Sequence, residues 1–385
     1  MDTATSPSVG ALRQFDDLPG PRGLPVFGNL LQIDSTRVHQ QVEAWCETFG
    51  PVFKLRLGKR RVVVVGDHEL ITTVLRDRPD GFRRTQRLEE VGREMGLAGG
   101  LFSVNGEVWK RQRRMVMAGF DPVHVKRYYP TLLRVAERLM GRWQQAAREG
   151  RRIELQADLM RFTVDAVAGL AFGEDVNTLQ SDEDVIQQHL NRIFPMLFKR
   201  MFSPLPTWRW WPRAEDRALA HSVAAIDVAV QGFIAQARAR LSADPGLRSA
   251  PGNLLEAMLV AADEPGSGID DAQVAGNVLT MLLAGEDTTA NTLAWMIWLL
   301  SRHPEALAQA RAEVDRVLGD AALPDLAQLG QLDFVEACAH ETKRLRPVAP
   351  INTMQAVHDT RVGDVAVPAG PLVMGEIGRA SCRER

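Results

Sequence analysis

The stretch "LLAGEDTTANT", Leu282 to Thr292, decides how the chain is read. It lies inside an apolar run, Val278 to Leu300, whose period is helical. A buried helix is best served by Leu, Ile and Ala throughout. Here the centre carries one glycine, two acids and three threonines. Helical spacing puts Met281, Ala284, Gly285, Thr288 and Thr292 on one face, small in its middle. Gly285 costs about 1 kcal/mol relative to alanine in a helix, and in exchange something can approach the backbone closely. Thr288 can donate to the carbonyl of Ala284, four residues back, which bends a helix and opens a local groove. Asp287 stands next door, and an acid beside a hydroxyl over a cleared backbone can relay protons to a ligand. The residues alone leave a second reading open. A Gly-Ala-Thr face also admits a neighbouring helix, with Glu286 and Asp287 as surface charge.

Around this stretch helical periodicity dominates from Asp67 to about Pro347. It predicts helices over Asp67–Asp77, Glu107–Met117, Pro122–Arg148, Leu155–Phe172, Asp184–Phe198, Ala214–Leu241, Asn253–Ala262, Asp270–Ser301, Pro304–Leu318 and Leu332–Leu345. Asp270 or Asp271 is placed to cap the longest, and His303-Pro304 marks its end and the next start. That helix, roughly 30 residues and roughly 45 Å, is long enough to cross a domain. Strand signals are few. "VFKLRL" and "RVVVVG" flank Gly58-Lys59-Arg60 as a β-hairpin, and "RVGDVAVPAGPLV" returns to short strands and turns. The fold class expected is mainly α with a small β portion near each end. Residues 1–17 are expected to be disordered, and 18–374 to form a single domain.

The chain has 385 residues, 45% hydrophobic and 24% charged, as in ordinary globular proteins. A net charge of −2 gives no global attraction to nucleic acid or an anionic membrane, so no nucleic-acid partner is expected. Three cysteines, Cys46, Cys338 and Cys382, do not read as a disulfide framework, which points to a reducing, cytoplasmic setting. Glu286 and Asp287 interrupt the most apolar run, and charges at mid-membrane depth cost several kcal/mol. No transmembrane anchor is therefore expected.

Two further segments carry paired side chains. Trp109 and Arg113, four residues apart in "NGEVWKRQRRMVMAGF", can share a helix face suited to a buried carboxylate. Glu341 and Arg344 are i,i+3 neighbours near the end of another helix. Each has a plainer reading as solvated surface charge.

Taken in order, these segments resemble the cytochrome P-450 family of haem-thiolate monooxygenases. The resemblance runs through "LPGPRGLPVFGN", the helix with Trp109 and Arg113, "TVDAVAGLAFG", the Ala284–Thr289 motif, Glu341 with Arg344, and "RPVAP" with "VPAG". It implies a cytochrome P-450 fold and haem b as cofactor. Trp109 and Arg113 would bind a haem propionate. Ala284 and Gly285 would lie against the haem plane and bound dioxygen, and Asp287 and Thr288 would deliver protons. Glu341 and Arg344 would form a buried structural pair. The implied activity inserts one atom of dioxygen into an apolar organic substrate. Electrons would come from NAD(P)H through a separate ferredoxin or flavoprotein reductase. The implied substrate-contacting segments are Arg84 to Phe102 and Ile193 to Trp211. The second is rich in aromatics and Met, and suggests a lid or a peripheral membrane contact for an otherwise soluble protein.

One element departs from the family pattern. Its C-terminal loop, Phe-x-x-Gly-x-Arg-x-Cys-x-Gly, supplies the axial thiolate. Counting back from Cys382 puts Gly378 at the glycine position. Ala380, Gly375 and Glu384 stand where the arginine, phenylalanine and second glycine belong. Cys382 is therefore not expected to ligate iron, and no metal ligand is assigned. Residues 375–385 read as a foreign or frameshifted tail on a fold incomplete at its C-terminus. On that expectation the chain is inactive, and its alternatives are a non-catalytic helical ligand-binding protein or an unstable fragment.

Overall fold

The computed structural model describes residues 12–34, 37–120, 122–180, 185–203 and 205–380. In chain order the strands are β1 (Val52–Leu57), β2 (Arg60–Val65), β3 (Phe82–Arg84), β4 (Ile351–Ala356), β5 (Thr360–Val362), β6 (Val365–Val367) and β7 (Leu372–Glu376). The first helices are α1 (Val38–Phe49), α2 (His68–Arg76), α3 (Gln86–Glu94), α4 (Gly106–Gly119), α5 (Pro122–Arg148) and α6 (Leu155–Val167). Then come α7 (Val185–Phe202), α8 (Ala214–Ala243), α9 (Gly246–Ser249), α10 (Leu254–Asp263) and α11 (Asp271–Arg302). The last are α12 (Pro304–Leu318), α13 (Leu326–Leu329), α14 (Asp333–Leu345) and α15 (Ile377–Ala380). The mainly helical architecture with a small β portion is the one expected. The contacts divide the chain into two compact units, however: residues 1–85 with 349–385, and residues 86–348. Sequence patterning suggested a single domain from 18 to 374.

The first unit holds a five-stranded sheet in the order β1-β2-β7-β4-β3. The predicted hairpin is β1–β2, antiparallel with Val52 opposite Val65 and Leu57 opposite Arg60. The run Val62 to Val65 is unbroken by polar residues because both faces of β2 are covered. Val62 and Val64 pack with Val42 and Cys46 of α1, whereas Val63 and Val65 pack with Phe15, Ile71, Val74 and Phe82. Phe15 and Leu18 are buried, and Phe15–Asp17 form a 3₁₀ turn, so residues 12–17 are ordered rather than disordered as expected. Residues 1–11 lie outside the described residues. The boundary expected after Met374 falls inside β7, which runs on to Glu376 and pairs with both β2 and β4.

The second unit is helical, with α11 through its core. Asp270 caps α11 by accepting from the Gln273 N–H at 2.8 Å, and Gln273 completes a capping box, as the sequence indicated. His303-Pro304 ends it and starts α12. The segment predicted as one helix over Leu155–Phe172 is α6 followed by a π turn, Ala168–Phe172, closed by Gly173 at φ +71°. The predicted Asp184–Phe198 helix extends to Phe202 and carries Pro195 inside it. The periodicity does not reveal α3, although Leu88 and Val91 are spaced for a helix and are buried, nor the short α9, α13 and α15.

Candidate functional site

The site is built on the middle of α11, where its buried and open faces part. From Val274 to Leu282 the helix buries Val274, Ala275, Gly276, Asn277, Val278, Leu279 and Leu282. Past Leu282, α6 covers one side only. Thr163 of α6 donates to the carbonyl of Glu286 at 2.9 Å, and the Glu286 side chain is itself buried. A Cβ on Gly285 would lie 2.4 Å from Cγ2 of Val167, at the end of α6. The glycine therefore serves close helix packing. Val167 fills the side on which a Cβ of residue 285 would stand. Glu286 is no surface charge.

Ala284 and Thr288 lie on the other side and are exposed. The Thr288 hydroxyl donates to the Ala284 carbonyl at 2.8 Å, the bond expected from the spacing. Thr292 repeats it one turn later, to the carbonyl of Thr288 at 2.7 Å. These hydroxyls are held against their own helix, so the open face is a ledge of small side chains with fixed dipoles. Asp287 is partly buried, and burial pushes its carboxyl above the usual aspartate range, opposed by a weak bond from the Asn291 amide. Asn291 donates to the Asp287 carbonyl at 2.8 Å and accepts from Gln156 Nε2 at 2.8 Å. Asn291 and Gln156 were missed in the sequence, where only the i,i+4 spacing of Asp287 and Asn291 hinted at a link.

On α4, Trp109 is buried and Arg113 is exposed, with the guanidinium carbon 5.2 Å from the indole ring centre. The expected pairing on one helix face is present as a cation–π contact. Between them Gln112, one of the most buried polar side chains, ties α4 to α11. It donates to the Gly99 carbonyl at 3.0 Å and accepts from Asn277 Nδ2 at 3.1 Å. Asn277 Oδ1 in turn accepts from the Leu101 N–H at 3.0 Å. Neither amide was singled out in the sequence, because a lone Gln or Asn at a core position has no periodic signature.

Glu341 and Arg344 pair as spaced, Nε to Oε2 at 2.7 Å. The Glu341 side chain is 49% exposed, so the pair is not the buried one expected. It sits on a partly solvated face of α14. Cys382 lies outside the described residues. Cys46 is buried in the core of the first unit. Cys338 is partly buried on α14, where burial and then the Glu313 carboxylate push its thiol up. Among the described residues no three His, Cys, Asp or Glu gather to hold a metal ion.

The family model described as Cytochrome P450 matches residues 18–381. Protein LUTEIN DEFICIENT 5, chloroplastic, of Arabidopsis thaliana is 24% identical over 84% of this chain and 55% of its own length. A self-sufficient cytochrome P450 monooxygenase of Phanerodontia chrysosporium is 25% identical over 90% of this chain and 32% of its own. A bifunctional cytochrome P450/NADPH–P450 reductase of Aspergillus oryzae is 27% identical over 86% of this chain and 30% of its own. The chain thus spans about half the length of the first of these relatives and about a third of the others. The family match covers nearly all of the chain, through both β-rich ends and the α11 ledge: this chain belongs to the cytochrome P450 family.

Proposed function

We propose that the chain carries the substrate-side and oxygen-side portion of a haem monooxygenase that inserts one atom of dioxygen into an apolar organic substrate. The observation that carries this is the open ledge of Ala284 and Thr288 on a helix otherwise packed, with the partly buried Asp287 beside it. The residues fit haem in part. Exposed Arg113, steadied by Trp109, offers a guanidinium to a carboxylate at the macrocycle's rim, and the ledge offers a flat, small-sided face. The axial position does not fit among the described residues. Cys46 is enclosed by the core, and at Cys338 burial and then the Glu313 carboxylate disfavour the thiolate. No step through the iron is therefore derived.

The work of the chain's own residues is limited and specific. Thr288 holds a hydroxyl over the ledge with its proton on the Ala284 carbonyl, leaving its lone pairs open to accept. Asp287, with its proton affinity raised by burial, can take a proton from solvent and pass it inward. The segments 84–102 and 193–211 supply apolar contacts to the substrate. Electrons come from NAD(P)H through a redox partner. The joined P450 and NADPH–P450 reductase in the name of the A. oryzae relative supports a flavoprotein over a ferredoxin.

Reconstitution of the purified chain with haem, followed by reduction and carbon monoxide, tests the proposal. The expected result is weak haem uptake without a thiolate-type Soret band, which Arg113→Ala weakens further by about tenfold, the loss of roughly 1.4 kcal/mol for one charge-assisted contact. A thiolate-type Soret band would locate the donor outside the described residues. No haem uptake at all would sink the enzyme reading and leave a helical ligand-binding protein. A second reading concerns location. Phe198, Phe202, Leu205, Trp210 and Trp211 are exposed beside Lys199 and Arg213, a composition suited to a membrane interface. Co-flotation with anionic vesicles, lost in a Trp210→Ser/Trp211→Ser variant, is the expected outcome. Among the described residues one helix, Ala214–Ala243, is long and apolar enough to cross a membrane by length and composition. It buries Leu219, Ile226, Val230, Phe233, Ala237 and Leu241 within the second unit.

A further inference from the structure

Trp208 lies on the short 3₁₀ turn Thr207–Arg209 between α7 and α8. Two guanidiniums stand over its ring, Arg200 of α7 at 5.1 Å and Arg87 of α3 at 5.6 Å. Its indole N–H donates to Glu94 Oε2 at 3.0 Å. Arg209, the next residue, pairs with the other oxygen of the same carboxylate. Arg87 and Glu94 are seven residues apart, two turns of α3, and so share a face. The adjacent face of α3 buries Leu88 and Val91, and Met95 just past its end is buried too. Arg87 also donates to the carbonyl of Arg200 at 3.0 Å. Arg200 is fixed from behind by Asp216 of α8 at 2.7 Å, with both side chains nearly buried.

We propose that Trp208 is a positioning residue that latches α3 to the α7–α8 turn, so that these two segments open and close as one. The chemistry favours this over an incidental contact. Indole is the strongest cation–π acceptor among the aromatic side chains, and here it is aimed at two arginines on different helices. Its single donor is spent on a carboxylate that a third arginine also engages. That arginine, through its hydrogen bond, holds the Glu94 carboxyl below the usual range, so Glu94 stays ionised at neutral pH and keeps both bonds. The neighbouring Trp210 and Trp211, by contrast, are 59% and 74% exposed. Only the first of three closely spaced tryptophans is built into the fold. Because α3 and this turn are the segments assigned to substrate contact, a consequence for ligands rests on the function proposed above. Entry and exit of an apolar ligand would require both to release together.

Hydrogen exchange on the full chain tests the latch without reference to activity. In Trp208→Ala, exchange is expected to rise about tenfold in residues 86–97 and 200–213 alike, the effect of losing about 1.4 kcal/mol. Trp208→Phe, which keeps a ring but no donor, should give a partial rise in both. Trp210→Ala should leave both unchanged. Glu94→Gln is the second route if Trp208→Ala fails to fold, with the same two segments rising. A rise confined to 200–213, with α3 unaffected, overturns the latch. A separate measurement addresses the functional reading: the dissociation rate of a hydrophobic dye such as 1-anilinonaphthalene-8-sulfonate. Coupled exchange with an unchanged dye rate would keep the latch and discard the assignment of these segments to ligand contact.

Discussion

Arg240 and Arg344 each pair with a glutamate, and the two pairs sit in different surroundings. Arg240 of α8 donates Nε to Glu256 of α10 at 2.8 Å, Nη1 to Glu174 at 2.8 Å and Nη2 to the carbonyl of Phe172 at 2.8 Å. It thereby joins two helices to the end of the π turn. Glu256 is only 2% exposed, and its second oxygen accepts from the Gly252 N–H at 2.8 Å. Arg344 meets Glu341 three residues back on the same helix, and that glutamate is half exposed. The motif-bearing pair holds a half-exposed glutamate, whereas the pair with no motif holds a buried one. Sequence separation explains why only one of them has a motif. An i,i+3 pair is visible on paper, whereas a 16-residue separation across two helices is not.

The largest test of the contrast is Arg240→Met. It strands the Glu256 carboxylate in the core and is expected to cost about 3 kcal/mol in a urea unfolding curve, as for a broken buried pair. A loss under 1 kcal/mol would mean that water reaches Glu256. Next comes Gly276→Ala, near the buried start of α11. A methyl there would lie 2.8 Å from the backbone of Gly99, which cannot rotate away, and about 1–3 kcal/mol should be lost. Glu341→Gln should cost below about 1 kcal/mol, and less still in high salt. A cost as large as that of Arg240→Met would show that another part of the assembled protein buries this pair.

The smallest effect belongs to a third carboxyl, Asp287, which is partly buried and bonded to an amide instead of an arginine. Its folded-state pKa is raised by burial. The native state therefore holds its proton more tightly, and stability falls as pH rises above the ordinary value of 3.8. Asp287→Asn should accordingly stabilise the fold slightly at pH 7, by less than about 1 kcal/mol, and give no gain below pH 3.8. Unfolding midpoints at the two pH values check this. A gain that persists in acid would rule out the charge as its source.

Most of the helices were legible in the sequence because their causes are local. Asp67 and Asp270 cap helices that start where apolar periods start, and Pro304 can only begin one. The β-hairpin was legible for the same reason. α3 was missed because its polar composition hid two well-spaced apolar residues, Leu88 and Val91. In the candidate site, the Thr288 bond to Ala284 follows from helical spacing alone, and so it was foreseen. The occupant of the space beside Gly285 was not. Two readings of that glycine were equally good until Val167 was found against it.

Taken by itself, then, the sequence determined the helical class, the hairpin, the capped long helix and a family resemblance that the match over residues 18–381 bears out. All of these rest on periods, caps and spacings within a few residues. Tertiary structure alone decided which face of "LLAGEDTTANT" is packed and which is open. It also decided that Glu256 rather than Glu341 is the buried acid, and that Trp208 rather than its exposed neighbours holds α3. Burial and partnership depend on what other segments bring to the same place, and no local pattern encodes that.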